Sequence, residues 1–324
     1  MRRPSPELGR YVVKLKPLAM KNLDLNVVTG AFGYTGRSIA RKLLTTGQEV
    51  RTITGHPGRP NPFGDQVRSY PLDFGDPDGL AQNLSGATTL YNTYWIRFPR
   101  GVVTFEGAVE NTKILVNAAI RAGVQRIVHI SITNPSADSP LAYFKGKALV
   151  EEAIIGSGLA YDIIRPTLIF GAEDVLINNI AWFLRRFPFF PVPGKGDYLV
   201  QPVHVEDVAE AAVGAADRGE NTVQDCVGPE TYTYEGLVRL IAAQVGSRAK
   251  TVHLWPSLAL FLSRMAGYLV RDVVLTRDEI DGLMAGLLVS GDPPTGQISL
   301  SRWLGENGDT LGRSYASEMD RHYR

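Results

Sequence analysis

The sequence contains a single cysteine, Cys226, among 324 residues. One thiol excludes an intrachain disulfide and most cysteine-based metal sites, and it fits a reducing, cytoplasmic compartment. The five histidines are scattered without the spacing of metal ligands, so we expect no metal site. A formal net charge of +1 gives no electrostatic reason to expect nucleic acid as a partner. No apolar run has the length of a membrane span, and there are no internal repeats.

Positive charge is concentrated in the first 21 residues, which carry six basic side chains and one acidic side chain. This segment lacks the apolar core of a secretory signal. We expect residues 1–21 to be a disordered leader, or a segment upstream of a translation start at Met20. The alternative is a basic arm that contacts an anionic surface.

Strand-like and helix-like segments alternate from Leu25 to Ile164. This pattern is typical of a parallel sheet with right-handed crossovers, so we predict an α/β fold. The expected architecture is a doubly wound Rossmann sheet with a smaller C-terminal substrate lobe. We assign residues 22–170 and about 201–228 to the nucleotide-binding domain, and residues 171–200 and 229–324 to the lobe. Ligands of such sheets bind beyond the carboxyl ends of the strands.

A glycine-rich turn follows the first strand. In a dinucleotide-binding turn, the first glycine permits the tight turn and the second lets a pyrophosphate approach backbone N–H groups. The third glycine allows the following helix to pack closely against the strand. A purely structural turn is the alternative. The predicted phosphate-binding residues are Gly30, Phe32, Gly33, Tyr34, Thr35, Gly36 and Arg37.

The end of the second strand indicates which dinucleotide is bound. An NAD site usually has an acidic residue there, which accepts a hydrogen bond from the ribose. This chain has His56 and Arg59 instead, which suit the 2′-phosphate of NADP. We therefore favour NADP, with NAD as the alternative, although Arg59 could also be a solvated loop charge.

The next two strand ends supply further cofactor candidates. Asp73 and Phe74 follow the third strand, where a carboxylate can accept from the adenine amino group. The alternative for Asp73 is a turn before Gly75. Asn92 and Thr93 follow the fourth strand, where we expect the nicotinamide ribose.

Tyr143 and Lys147 lie four residues apart in a segment that starts with Ser139-Pro140, a typical helix start. On a helix they share one face. A lysine ammonium beside a phenol, with the positive ring of a cofactor nearby, lowers the pKa of the tyrosine. Tyr143 is therefore the candidate general acid/base, and Lys147 its partner and a hydrogen-bond donor to ribose.

These motifs, together with segments 165–171 and 201–209, resemble the extended short-chain dehydrogenase/reductase superfamily. Within it, the sequence is most similar to the atypical branch that includes an accessory subunit of respiratory complex I and NmrA-like proteins. The resemblance covers about residues 22–320. It implies that backbone around Pro166, Thr167 and Leu168 holds the nicotinamide carboxamide.

The same resemblance implies that a Ser or Thr at the end of the fifth strand binds the substrate oxygen. In this chain the corresponding position is Ile132, flanked by Ser131 and Thr133. Because successive residues of a strand point to opposite faces, a shift of one residue matters. Ser131 and Thr133 are therefore the remaining catalytic candidates, and Thr133 fits only if the strand ends early.

The C-terminal part is rich in apolar residues. Residues 187–194 predict a rigid loop. Residues 256–270 predict a helix that we expect to be buried against the lobe, with peripheral membrane contact as the alternative. The long helices predicted at 105–122 and 140–157 suit a homodimer interface of the family's type. Candidates for an apolar substrate pocket, most of them expected in the core, are Trp182, Phe183, Phe187, Phe189, Phe190 and Tyr198.

Two functions follow from these observations. The first is an NAD(P)(H)-dependent oxidoreductase, epimerase or dehydratase that acts on a carbonyl or alcohol of a small organic substrate, with Tyr143 as acid/base. The second is a non-catalytic NADP(H)-binding redox sensor or assembly protein. The departure at Ile132 favours the second function, and the Tyr143–Lys147 pair favours the first.

Overall fold

The computed structural model describes residues 24–216 and 218–322, so the expectation for residues 1–21 lies outside the described residues. The strands are β1 (Leu25–Thr29), β2 (Glu49–Thr54), β3 (Val67–Pro71), β4 (Thr89–Asn92), β5 (Arg126–Ile130), β6 (Ala160–Pro166), β7 (Ile169–Phe170), β8 (Phe189–Pro193), β9 (Leu199–Val200), β10 (Val203–His204), β11 (Thr222–Cys226), β12 (Tyr232–Thr233) and β13 (Lys250–Leu254). The helices are α1 (Tyr34–Thr45), α2 (Pro77–Leu84), α3 (Phe105–Arg121), α4 (Ala142–Ile155), α5 (Leu176–Arg186), α6 (Val205–Ala216), α7 (Tyr234–Gln244), α8 (Pro256–Val270), α9 (Arg277–Met284), α10 (Leu300–Asn307) and α11 (Glu318–His322).

A seven-stranded sheet in the order β11-β6-β5-β4-β1-β2-β3 forms the centre of the molecule. Every neighbouring pair in it is parallel. The chain runs outward from β1 to β3 and then returns to β4, so the strand order reverses beside β1. Such a reversal leaves a crevice at the carboxyl ends of β1 and β4. The predicted Rossmann-like α/β fold is thus confirmed.

Helices cover both faces of this sheet. Val27 and Val28, adjacent in β1, are both fully buried, and their side chains enter different cores because strand residues alternate faces. Val28 packs with Ile39 of α1 and Val208 of α6. Val27 packs on the other side with apolar residues of α2, α3 and α4. A third core joins α5, α7 and α10 with β8, outside the large sheet.

The C-terminal part differs from the sequence prediction at two paired strands, β8 and β13. Residues 187–194 are not simply a loop, because β8 lies within them and pairs in parallel with β13. The prediction missed β13 because Lys250 and His253 interrupt its apolar pattern. Strand β11 joins the large sheet beside β6, as its assignment to the nucleotide-binding domain requires, while the domain division as a whole stays a prediction.

Helix α8 has the predicted bounds, but the expected burial is wrong. Only Ala259 and Gly267 among its residues are buried, and six of its large apolar side chains are exposed. The apolar residues predicted burial by their number, but small residues line the inner side of the helix and large ones the outer side. Within residues 24–216 and 218–322, no helix combines the length and apolar character needed to cross a membrane.

Candidate functional site

A cavity of about 670 Å³ lies beyond the carboxyl ends of β1, β2 and β4. It reaches from the glycine-rich turn at one end to the first turn of α4 and to α9 at the other. The predicted site residues that line it are Gly30, Phe32, Gly33, Tyr34, Thr35, Gly36, Arg37, His56, Arg59, Phe74, Thr93 and Tyr143. The predicted site residues that do not line it are Asp73, Asn92, Ser131, Thr133, Lys147, Pro166, Thr167 and Leu168.

The glycine-rich turn has the geometry of a phosphate cradle. Gly30 has a φ of 63°, which favours glycine, and its carbonyl accepts a hydrogen bond from the Gly33 N–H at 2.8 Å. A Cβ on Gly36 would lie 2.5 Å from that same carbonyl oxygen. Helix α1 begins after Gly33, and no side chain caps it. Its N-terminal N–H groups and positive dipole end therefore point to the cavity, as a bound pyrophosphate requires.

Basic groups line the cavity near this turn. Arg37 donates to the Phe32 carbonyl at 2.8 Å and forms an ion pair with Glu173, which lies between β7 and α5. His56 and Arg59, beyond β2, also line the cavity. In the part of the chain that the structure describes, Nε of Arg37 is buried without a hydrogen-bond partner. A buried donor of this kind fits an anionic ligand.

The predicted residues beyond β3 and β4 have different roles. The Asp73 carboxylate accepts a hydrogen bond from Gly75 N–H at 2.9 Å, so it forms the turn that was the alternative. Asn92 is fully buried and accepts from Tyr94 N–H at 3.0 Å. Phe74 lines the cavity and packs on Tyr94 with ring centroids 4.8 Å apart. Asp73 and Asn92 thus shape the backbone that lines the cavity.

Thr93 is fixed at the wall of the cavity by β1. Its hydroxyl donates to the Thr29 carbonyl at 2.7 Å, and its N–H donates to the Thr29 hydroxyl at 2.7 Å. These two bonds hold the loop after β4 against the end of β1, beside Gly30. The backbone at Thr93 is therefore a rigid part of the cavity wall.

Tyr143 lies in the first turn of α4, within an aromatic cluster that faces the cavity. Its ring packs edge-on against Trp95 and Phe105, with centroids 5.9 and 5.8 Å away. Helix α4 begins at Ala142 and not at Pro140, because Ser139 caps a local turn at Leu141 N–H instead. Tyr143 is thus held at the helix start, where it meets the cavity.

The pKa of Tyr143 is raised, and not lowered as the sequence predicted for the cofactor-bound site. Burial is the largest cause, because it disfavours the phenolate. The Glu279 carboxylate adds to the increase, Arg97 opposes it, and Glu318 adds further. In this environment the phenol stays protonated at neutral pH and can donate a proton.

Lys147 does not reach the cavity. Its ammonium donates to the Ile130 carbonyl at 2.9 Å and lies 4.9 Å from the centre of the Trp95 ring. Burial lowers its pKa to about 7, and the Glu151 carboxylate opposes that change. Trp95 lines the cavity and lies over the ammonium, so Trp95 separates Lys147 from a ligand in this conformation.

Ser131 and Thr133 point away from the cavity. Backbone pairing continues past β5, since Ser131 N–H donates to the Ile164 carbonyl at 2.8 Å and Thr133 N–H to the Pro166 carbonyl at 3.0 Å. Both side chains therefore share one face of an extended segment. The Ser131 hydroxyl donates to Glu151, and the Thr133 hydroxyl donates to Asp225 at 2.9 Å. Strand β5 ends at Ile130, but this extended pairing with β6 continues to Thr133, so the Thr133 side chain does not turn to the cavity.

The segment at the end of β6 also lies outside the cavity wall. The Thr167 hydroxyl donates to the Gln201 carbonyl, and Leu168 joins the C-terminal core. The wall on this side comes from residues 173–176, between β7 and α5. The aromatic candidates from Trp182 to Tyr198 do not line this cavity either.

A charged cluster that the sequence analysis missed lines the end of the cavity at Tyr143. Nε of Arg97 donates to Glu279 of α9 at 2.6 Å, and Nη1 lies 3.6 Å from the Glu318 carboxylate. Burial lowers the pKa of Arg97, but the carboxylates of Glu279 and Glu318 raise it, and the net pKa is raised. The three residues are at least 39 positions apart in sequence for each pair, so no local motif indicates them. They carry more negative than positive charge beside Tyr143.

Comparison with known proteins finds nucleotide-binding relatives. A family described as NAD(P)H-binding matches residues 30–177. The chain is 26% identical over 282 residues to the mitochondrial NADH dehydrogenase (ubiquinone) 1 alpha subcomplex subunit 9 of Arabidopsis thaliana, with 81% of this chain and 70% of that protein covered. The chain spans about two thirds of the length of the first curated relatives that it matches.

Two solved structures share the fold. One is the triphenylmethane reductase of Citrobacter sp. complexed with NADP(H), at a TM-score of 0.73 and 18% identity, covering 87% of this chain and 99% of that one. The other is the NADPH-dependent quinone oxidoreductase QOR2 of Escherichia coli complexed with NADPH, at a TM-score of 0.70 and 20% identity, covering 88% and 99%. At these identities the likeness supports the fold.

Proposed function

We propose that this chain, which belongs to the NAD(P)H-binding extended short-chain dehydrogenase/reductase superfamily and resembles its NmrA-like branch, is an NADP(H)-dependent oxidoreductase. Its substrate is a carbonyl or alcohol of a small organic molecule, and the reaction favoured by the site is reduction. The observation that carries the proposal is one continuous cavity lined by the glycine-rich turn and by Tyr143. A cofactor cradle and a proton donor thus share one space.

The glycine-rich turn and the N-terminal end of α1 bind the pyrophosphate in this proposal. A bound nicotinamide cofactor supplies the hydride. Tyr143 then donates its phenolic proton to the carbonyl oxygen that becomes the alcohol. The phenol of Tyr143 carries its proton at neutral pH, so it is in the protonation state that a donor needs. Trp95 and Phe105 exclude water from the side of the phenol.

NADP is the proposed cofactor, in preference to NAD. His56 and Arg59 line the cavity beyond β2, where an acidic residue would accept from the ribose of NAD. A guanidinium suits a phosphate because it can donate two parallel hydrogen bonds. Glu173, an acidic residue of the cavity wall, pairs with Arg37 of the turn.

A second function, binding of NADP(H) without turnover, is favoured by a specific observation. Neither Ser131 nor Thr133 reaches the cavity, and Lys147 binds the Ile130 carbonyl under Trp95. A substrate oxygen would therefore have the Tyr143 hydroxyl beside it but not the Ser or Thr hydroxyl that the superfamily pattern implies. In this reading the protein is a redox sensor or an assembly protein.

The test compares wild type with Tyr143→Phe, which keeps the ring contacts and removes the hydroxyl. NADPH binding is measured by calorimetry, and NADPH oxidation is measured with a panel of quinones, ketones and aldehydes. We expect wild type to oxidise NADPH with at least one acceptor. The variant should bind NADPH normally but turn over at least about a hundredfold more slowly. Tight binding without turnover on any acceptor supports the second function, and undiminished turnover by the variant removes Tyr143 from the chemistry.

A further inference from the structure

Helix α8 presents its large apolar side chains to the outside. The exposed residues on it are Leu258, Phe261, Leu262, Met265, Tyr268 and Leu269, with Phe261 57% and Leu269 72% exposed. At 100° per residue these six positions fall within about a third of the helix circumference. They form one continuous face, which we call the α8 face.

The inner side of α8 explains this arrangement. Ala259 and Gly267 are the buried residues, and a Cβ on Gly267 would lie 2.6 Å from the Asp272 carbonyl oxygen. The Gly267 contact closes the C-terminal turn of the helix. Helix α8 also contacts β8 and α9, and the Ser263 hydroxyl on its inner side donates to the Leu275 carbonyl at 3.3 Å, so small residues seat it on its own domain. The α8 face is therefore a fixed outer surface of the fold, and a contiguous apolar surface of this kind marks an interaction site.

The charges around the α8 face select its partner. From Ser247 to Arg271 the chain has no Asp or Glu, and it carries four basic residues. Arg248, Lys250, Arg264 and Arg271 are all exposed. Asp272, which follows, is buried and accepts hydrogen bonds from the Tyr315 hydroxyl and Glu318 N–H. Glu235, an acidic residue that contacts this stretch at Thr251 and His253, also pairs with Arg239.

Aromatic residues stand at both ends of the helix. Trp255 precedes its first turn and Tyr268 lies in its last, and each is 81% exposed. Such side chains have an apolar ring and a polar group, which suits the boundary between lipid headgroups and acyl chains. The helix is about 22 Å long, too short to span a bilayer, but it can lie along the boundary.

We propose that the α8 face binds the surface of an anionic lipid bilayer, with α8 lying in the plane of the membrane. Apolar side chains enter the headgroup region, and the surrounding cations contact anionic headgroups. A second copy of this chain is a poorer partner, because a symmetric contact would bring these cations together without an acidic residue within the 247–271 stretch to oppose them.

The test is flotation of the full chain with vesicles of phosphatidylcholine alone or of phosphatidylcholine with phosphatidylglycerol. We expect wild type to float with the phosphatidylglycerol vesicles and to dissociate when salt is added. The double variant Phe261→Ser with Leu269→Ser should reduce the protein–vesicle partition coefficient about a hundredfold, because it removes two apolar side chains that the membrane would bury. The control is Ile120→Ser with Ile155→Ser, two exposed apolar residues on α3 and α4 (43% and 45% exposed), which should float like wild type.

Two more measurements keep the result interpretable. Arg264→Glu should weaken binding only to the phosphatidylglycerol vesicles. Brominated lipid should quench the tryptophan fluorescence that comes from Trp255, which is identified by its loss in Trp255→Phe. Three results overturn the proposal. The first is that wild type does not float. The second is that the α8 double variant floats as well as wild type, which would assign binding to the basic residues 1–21. The third is that the protein forms a dimer without vesicles and that the double variant breaks this dimer.

Discussion

Replacement of Gly36 by alanine should damage both the stability of the fold and its cofactor site. A Cβ at this position would lie 2.5 Å from the Gly30 carbonyl oxygen, 2.9 Å from its carbon and 3.1 Å from the Thr29 carbonyl oxygen. All three are backbone atoms, so no side-chain rotation relieves the contact. Overpacking of this kind costs about 1–3 kcal/mol, while alanine in a helix gains about 0.5–1 kcal/mol over glycine. Because the contacts are with backbone atoms at 2.5–3.1 Å, the upper end of that cost applies, and we expect a net loss of about 2 kcal/mol in the free energy of unfolding.

The same substitution should weaken NADPH binding at least about tenfold, since about 1.4 kcal/mol of lost interaction corresponds to that factor. The physical reason is that Gly30 must move, although its carbonyl holds the turn through Gly33 N–H. Gly214→Ala is the matched control, because Gly214 lies in α6 with nothing within 4 Å of its Cβ position. It should stabilise the protein slightly and leave binding unchanged. Urea unfolding and calorimetry measure both quantities, and a Gly36→Ala protein with wild-type stability and affinity would refute the reasoning.

Three further predictions follow from the structure. Arg59→Gln should raise the Kd for NADPH by about ten- to a hundredfold and leave the Kd for NADH unchanged. The control Arg68→Gln, at an exposed position on β3, should change neither Kd, and equal effects of Arg59→Gln on both nucleotides would contradict the 2′-phosphate contact. Burial lowers the pKa of Lys147 from 10.5 to about 7, so between these pH values the unfolded chain binds more protons than the folded chain and the contribution of Lys147 to stability rises with pH. Lys147→Met should therefore reduce the pH dependence of the urea-unfolding free energy between pH 7 and 10.5, whereas Lys145→Met should not. Burial raises the pKa of the Cys226 thiol to about 11, so Ellman's reagent should label it only after unfolding, and rapid labelling of the native protein would be inconsistent with its position.

The cofactor end of the site was predictable from sequence because its determinants are local. The glycine turn, the preceding strand and the following helix are contiguous, and the three glycines have backbone roles that other residues cannot fill. His56 and Arg59 follow from the same logic, since every parallel strand ends at the same edge of the sheet. All of them line the cavity.

The catalytic end was less predictable because it depends on where extended pairing stops and on contacts between distant segments. The direction of the Thr133 side chain depends on whether extended pairing continues beyond β5, which hydrogen bonds to β6 decide. Lys147 has the predicted helix position, but Trp95 from a different loop lies over it. Arg97, Glu279 and Glu318 come from three separate segments.

Helix α8 shows a different limit. Its bounds follow from Pro256 at the start and its apolar content, but apolar content cannot tell which side of a helix is covered. The decisive feature is that its small residues lie together on one side. The homodimer expected from α3 and α4 stays a prediction, and analytical ultracentrifugation of the full chain tests it.

The central claim is that the cavity beyond β1, β2 and β4 holds NADPH with its reactive end at Tyr143. A crystal structure of the protein with NADPH measures this directly. We expect the pyrophosphate at the N-terminal end of α1, the 2′-phosphate at Arg59 and the nicotinamide beside Tyr143. A cofactor bound elsewhere, or bound with its nicotinamide end away from Tyr143, would contradict the account.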